Sequence, residues 1–195
     1  MSTRALRRRR WPWVLAFLAI VGIGLWAFSQ RTVTTAVTEI QYPLQHEDII
    51  RQQASAKNLD PALVAGVIFA ESHFRSGQTS PAGAEGLMQI TPETARDIAR
   101  RSGGVDFTVA DLATPQVNIA YGSYLLRELL TRYGGDEEAA LAAYNAGPGN
   151  ADKWGGAALR VEDIPFAETR AYVEKVLLAR DEYRTRYSSE LGPAP

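Results

Sequence analysis

The chain of 195 residues has no cysteine, only two histidines (His46 and His73) and only two methionines. Without cysteine there is no disulfide framework, no thiolate nucleophile, no cysteine zinc site and no cysteine-linked lipid anchor. With two histidines, a histidine-based triad or a two-histidine metal site is a poor fit to the inventory. Charge of one sign is also missing in places. Residues 1–31 contain six arginines (Arg4, Arg7, Arg8, Arg9, Arg10 and Arg31) and no acid. Taking those six from the 21 basic residues leaves 15 against 22 acidic ones in 32–195, a net charge of −7. The overall value of −1 therefore averages a basic head and an acidic body.

No charged side chain occurs between Trp11 and Gln30, and Trp11–Phe28 is apolar apart from Pro12, Gly22 and Gly24. Eighteen helical residues reach roughly 27 Å, about the hydrocarbon thickness of a bilayer. Trp11, Trp13 and Trp26 stand near its two ends, where interfacial aromatic belts lie, and Arg7–Arg10 predict a cytoplasmic N-terminus. The expectation is a single transmembrane helix at 11–28, within an anchor of residues 1–31. The competing reading is a cleaved secretory signal, with Ala27-Phe28-Ser29 as an imperfect cleavage site. Under either reading the body lies outside the cytoplasm, and nucleic acid is not an expected partner.

The body is punctuated as a helical domain. Asp60-Pro61, Thr91-Pro92 and Thr114-Pro115 each set a capping side chain before a proline at the first helical position. Asp136 followed by Glu137 and Glu138 is a fourth start. Gly103-Gly104, Gly134-Gly135 and Gly147 supply stops. Helices are expected at 47–57, 61–73, 92–101, 115–133, 137–145 and 167–187, with loops at 74–90 and 146–166. The fold class is mainly α. The expected organisation is an anchor at 1–31, an extended stem at 32–45, a catalytic domain at 46–188 and a tail at 189–195.

In the helix beginning at Pro61, Val64, Val67, Ile68 and Glu71 share one face by their spacing. The rest of that face is aliphatic and must be buried, so Glu71 projects from the end of a core-facing stripe, near the helix C-terminus. Desolvation and the negative end of the helix dipole both disfavour its ionised form. A carboxylic acid kept partly protonated near neutrality suits a general acid. The alternative is a glutamate reaching solvent from the helix end, or paired with Arg75. The following loop, Ser80-Pro-Ala-Gly-Ala-Glu-Gly-Leu-Met-Gln, carries Gly83 and Gly86, which permit close backbone approach to a ligand. Gln89 offers a donor and an acceptor to sugar hydroxyls, and Met88 a soft apolar surface or core filler. Ala143-Tyr-Asn145 ends a helix with a hydrogen-bonding pair, or simply caps it.

In combination and in order, Glu71-Ser72, Gly86-Leu-Met-Gln89 and Ala143-Tyr-Asn145 resemble the lytic transglycosylases with the soluble-lytic-transglycosylase (SLT) domain. These relatives of goose-type lysozyme cleave bacterial peptidoglycan. The similarity runs through most of 42–187, including Tyr42-Pro-Leu, Asp60-Pro-Ala-Leu-Val, Thr91-Pro-Glu-Thr-Ala and Glu168-Thr-Arg-Ala-Tyr-Val. The resemblance implies a lysozyme-like helical domain with Glu71 as the single catalytic acid/base. It implies that Ser80 lies near the substrate's acetamido group and that Met88 and Gln89 contact sugar. Tyr144 would position the catalytic region, Asn145 would be its polar neighbour, and Tyr172 a further groove residue.

Ordinary glycosidases need two carboxylates. Only Glu85 accompanies these motifs, in a variable slot of the loop that suggests exposure. One carboxylate suffices if the substrate supplies the nucleophile. The implied activity is non-hydrolytic cleavage of the MurNAc-(β1,4)-GlcNAc bond with 1,6-anhydro-MurNAc ends, with peptidoglycan glycan strands as partner and neither metal nor organic cofactor required. Lysozyme-like hydrolysis on the same fold, or a non-catalytic peptidoglycan-binding scaffold, are the alternatives.

Overall fold

A computed structural model describes residues 41–102 and 107–194, together with Phe17, Ile20, Val21 and Ile23. Those four are helical and exposed. The rest of the expected anchor, the stem over 32–40 and the stop at Gly103-Gly104 lie outside the described residues. Among the described residues no helix is long and apolar enough to cross a membrane.

Two units divide the chain, Met1–Gln41 and Tyr42–Pro195. The second is helical: α1 (Glu47–Lys57), α2 (Pro61–Ser72), α3 (Pro92–Ser102), α4 (Pro115–Arg132), α5 (Glu137–Ala146), α6 (Pro148–Trp154), α7 (Ala167–Arg186) and α8 (Ser188–Leu191). Short 3₁₀ turns occupy Val109–Ala113, Gly156–Ala158 and Val161–Asp163. The expected loop at 146–166 is thus largely built of short helices; each is too brief for its apolar period to be read from sequence. In 74–90 the backbone folds on itself through isolated antiparallel bridges of Glu85 with Thr79 and Ile90.

Capping follows the sequence at three starts and departs from it at the fourth. Asp60 accepts a hydrogen bond from the Ala62 amide, Asp136 from that of Ala139 and Thr91 from that of Thr94. Thr114 does not cap α4; its hydroxyl donates backwards to the Asp111 carbonyl, closing the preceding 3₁₀ turn.

Helix α2 is the centre of the unit. Not only its Val64–Val67–Ile68 stripe but every residue from Pro61 to Ile68 is buried. The sequence reading of one core-facing stripe is corrected accordingly: an α-helix apolar all round is a core helix. Its principal neighbour is α7. A Cβ on Gly66 would stand 2.9 Å from the Val176 carbonyl oxygen and 3.1 Å from the Arg180 amide. Glycine is thus what allows the two backbones to cross so closely. Moving from Gly66 towards the C-terminus of α2 and from Val176 towards the N-terminus of α7 brings Glu71 to Tyr172.

The domain begins earlier than expected. Tyr42 is buried; its carbonyl accepts from the Tyr187 hydroxyl at 2.7 Å, and that of Pro43 from Tyr183 at 2.7 Å. Residues 42–45 therefore belong to the folded unit rather than to a stem. At the other end, Leu191 is buried and the Glu190 carbonyl accepts from the Arg51 guanidinium, so the expected tail is docked at least to that point.

Candidate active site

Glu71 sits in the last turn of α2, half-buried, with its Oε1 accepting a 2.8 Å hydrogen bond from the Tyr172 hydroxyl of α7. Burial pushes its pKa up to about 7; the Tyr172 donor and the Lys175 ammonium oppose that shift without overcoming it. Among the described residues no second carboxylate contributes to the shift. Arg75 does not pair with Glu71: its Nε donates instead to the Ser72 carbonyl at 3.1 Å. Burial and the nearby Glu71 charge raise the hydroxyls of Tyr144 and Tyr172 well above the ordinary phenol range, so both stay protonated as donors.

The Gly-Leu-Met-Gln segment is held to this corner by its backbone. Ser72 Oγ donates to the Leu87 carbonyl at 2.8 Å, and Tyr144 Oη donates to that of Met88 at 2.9 Å. The Met88 amide donates to Asn118 Oδ1 at 2.7 Å, while Asn118 Nδ2 donates to the carbonyls of Glu85 (2.8 Å) and Leu112 (3.0 Å). Asn118 itself is buried in α4. A Cβ on Gly86 would lie 2.2 Å from that amide nitrogen, and the glycine has φ 78°, so both space and conformation require glycine there.

The sequence-predicted residues divide into two groups. Glu71, Tyr172, Tyr144 and the Met88 peptide converge on one corner. The Met88 side chain, expected to contact sugar, is instead fully buried, its sulfur filling the space where Gly122 lacks a side chain. Methionine is core filler here, and its contribution to the site is a carbonyl. Gln89 holds φ 48° and donates through Nε2 to Gly86 (2.8 Å) and Gln78 (3.3 Å), leaving its Oε1 outside these bonds. Ser80 Oγ accepts from the Ala84 amide at 3.1 Å, which leaves its own proton available. Asn145 is exposed at the end of α5. Ser80 and Asn145 lie outside the bonded group around Glu71. Glu85 is half-buried, not exposed as its slot suggested, because its backbone pairs in both directions with Ile90 at 3.0 Å.

Two participants carried no readable signal in the sequence. Asn118 lies on a helix where a polar residue would ordinarily face solvent. Lys175 lies one turn from Tyr172, and its Nζ donates to the Ala70 carbonyl at 3.0 Å. Among the described residues no group of histidine, cysteine, aspartate and glutamate could hold a metal ion.

A mainly helical unit with a half-buried carboxylic acid, gripped by a tyrosine and bordered by a glycine-bearing loop, is a lysozyme-like architecture. The chain belongs to the transglycosylase SLT domain family, whose model matches residues 48–166. It is 32% identical over 180 residues to the soluble lytic murein transglycosylase of Escherichia coli (strain K12), covering 88% of this chain and 26% of that one. It is 30% identical over 167 residues to the membrane-bound lytic murein transglycosylase C of Actinobacillus pleuropneumoniae (serotype 5b, strain L20), covering 71% and 46%. Its structure superposes on that of an inactive glutamate-to-glutamine mutant of the lytic transglycosylase Slt from Pseudomonas aeruginosa with a TM-score of 0.73 at 32% identity, covering 78% of this chain and 26% of that one. The chain thus spans about a quarter of the length of the soluble relatives it matches.

Proposed function

We propose that this protein is a membrane-anchored peptidoglycan lytic transglycosylase that cleaves the MurNAc-(β1,4)-GlcNAc bond without consuming water. The observation that carries the reading is Glu71 itself: one carboxyl group raised to about 7, with a phenol donor on its oxygen and no second carboxylate acting on it among the described residues. Protonated Glu71 gives its proton to the glycosidic oxygen as the C1–O bond breaks. The acetamido oxygen of the same MurNAc bonds to C1, forming an oxazolinium ion in place of a glycosyl-enzyme. The Glu71 carboxylate, now stabilised by the Tyr172 hydroxyl, takes the proton of the C6 hydroxyl. O6 then bonds to C1 as the oxazolinium opens, leaving a 1,6-anhydro ring and a protonated Glu71. In this reading Ser80 and the Oε1 of Gln89, which the internal hydrogen bonds leave open, would meet the acetamido group and sugar hydroxyls, and Asn145 would border the groove. The catalytic names of the relatives, and the loss of activity in the glutamate-to-glutamine Slt, support the assignment.

The location rests on the basic head and apolar run of residues 1–31, with 11–28 spanning the bilayer, the N-terminus cytoplasmic and the acidic unit on the wall side. A relative named as membrane-bound supports it. Tethering to the membrane would supply the local concentration beside the wall that an acidic body cannot obtain by charge.

Digestion of purified sacculi tests the chemistry. Wild type should release muropeptides with anhydro ends, each lighter by one water than the reducing-end product, and Glu71→Gln should release essentially none. Reducing ends alone would mean a hydrolase; equal digestion by the variant would remove Glu71 from its role.

A further inference from the structure

Three basic side chains converge on the C-terminal turn of α2, beside Glu71, and none of them is paired with a carboxylate in an ion pair among the described residues. Lys175 Nζ reaches the Ala70 carbonyl and lies 5.4 Å from the centroid of the Phe69 ring. The His73 ring lies 4.6 Å from the same ring. Arg75 is held to Ser72 by both its amide and its Nε, each 3.1 Å from that carbonyl, which leaves the outer guanidinium nitrogens free of this bond.

The chain takes an uncommon path to present them. His73 and Phe74 are successive non-glycine residues in the left-handed region, at φ 53° and 61°. Phe74 is buried, its ring 5.8 Å from that of Tyr183, and this anchors the turn while His73 and Arg75 remain exposed.

One cation at this position would complement the negative end of α2. Here Lys175 and Arg75 are two, and burial together with these two charges holds the His73 imidazole below its usual range, so that it stands beside them as a neutral ring N–H donor. Glu71 partly balances Lys175 when ionised, but in its acid form it balances nothing. The result is a positive spot on a body of net charge −7, at the residue that would hold the scissile bond.

We propose that His73, Arg75 and Lys175 form a docking site for the carboxylates of the peptide that peptidoglycan carries on MurNAc, an assignment that rests on the activity proposed above. The lactyl ether bearing that peptide leaves the same sugar whose C1 must sit at Glu71. The peptide therefore starts beside this corner, and its free carboxylates follow after amide-linked residues, within the reach of an extended chain. Arg75 supplies a planar pair of donors suited to a carboxylate, Lys175 a point charge, and His73 a ring N–H.

The test compares two polymers, sacculi with free peptide carboxylates and the same sacculi with those carboxylates converted to carboxamides. Wild type should show kcat/KM roughly three- to tenfold higher on the free-acid polymer, a preference that shrinks with added salt. In Arg75→Gln, and in His73→Asn, whose asparagine tolerates the left-handed backbone, the ratio should fall towards one. Equal kcat/KM of wild type on both polymers would overturn the proposal, and so would a preference that both variants keep. Cosedimentation of Glu71→Gln with each polymer reads binding without turnover: tighter binding to the free acid supports the site, and equal binding refutes it. If wild type cleaved neither polymer, the activity itself would be wrong, and cosedimentation would still decide the docking site.

Discussion

The Tyr172 hydroxyl donates to Glu71 Oε1 at 2.8 Å across 101 residues of sequence, joining the end of α2 to the first turns of α7. The bond stabilises the ionised carboxylate and therefore opposes the burial that raises Glu71 to about 7. The same contact thus limits how strong a base Glu71 becomes and supports its charge after it has given up a proton.

Removing that donor with Tyr172→Phe should raise the Glu71 pKa further. In the proposed reaction Glu71 acts first as an acid, so activity should fall as pH rises through its pKa, near 7 in the wild type. In the variant the alkaline limb of the kcat/KM profile should move to higher pH, while the maximal rate drops about tenfold or more because the carboxylate loses its donor. A pH–rate profile on solubilised glycan strands checks both; an alkaline limb moved to lower pH would contradict the geometry.

Glu71 should cost the protein stability. Its folded pKa of about 7 lies above the ordinary 4.5, so the folded state holds a proton that the unfolded chain releases between those values. Stability therefore falls as pH rises from about 4.5 to about 7, by up to about 3 kcal/mol in all. Glu71→Gln removes this dependence. Its denaturation midpoint should match or trail wild type near pH 4.5 and exceed it at pH 8. A variant midpoint that falls relative to wild type as pH rises would contradict the burial assigned to this group.

Asn118→Leu should destabilise the unit by about 2–5 kcal/mol. It deprives the Met88 amide of its acceptor and the carbonyls of Glu85 and Leu112 of their donor, all from one buried side chain. Because the same segment receives Tyr144, activity should decline even at temperatures where the variant is folded. Urea denaturation followed by tryptophan fluorescence, alongside sacculus digestion, measures the two effects.

Deleting residues 1–31 should release the protein from the membrane fraction and leave digestion of isolated sacculi intact. Cell fractionation compared with the activity of the purified shortened protein checks this. Membrane retention without the segment would refute the anchor.

Much of the fold was legible because its signals are local. Asp60-Pro61, Thr91-Pro92 and Asp136 start helices by chemistry confined to three or four residues. Glu71 could be singled out because its neighbours at helical spacing are all aliphatic. Local reading failed where a short helix is held by the surrounding structure, as at Pro148–Trp154, and where a capping threonine turned to an earlier carbonyl. It also failed for Met88, whose side chain is claimed by a glycine 34 residues away.

The sequence alone therefore determined the helical class and the charge division between head and body, and it singled out Glu71 as the proposed acid. Tertiary structure decided what that acid is bonded to: Tyr172 from α7, the Asn118-held loop beside it, and the meeting of Lys175 with His73 and Arg75. Helix starts and burial patterns are set by neighbours in the chain. A pKa and a binding corner are set by neighbours in space, and these arise only once Gly66 lets α7 cross α2 closely enough to bring Tyr172 to Glu71.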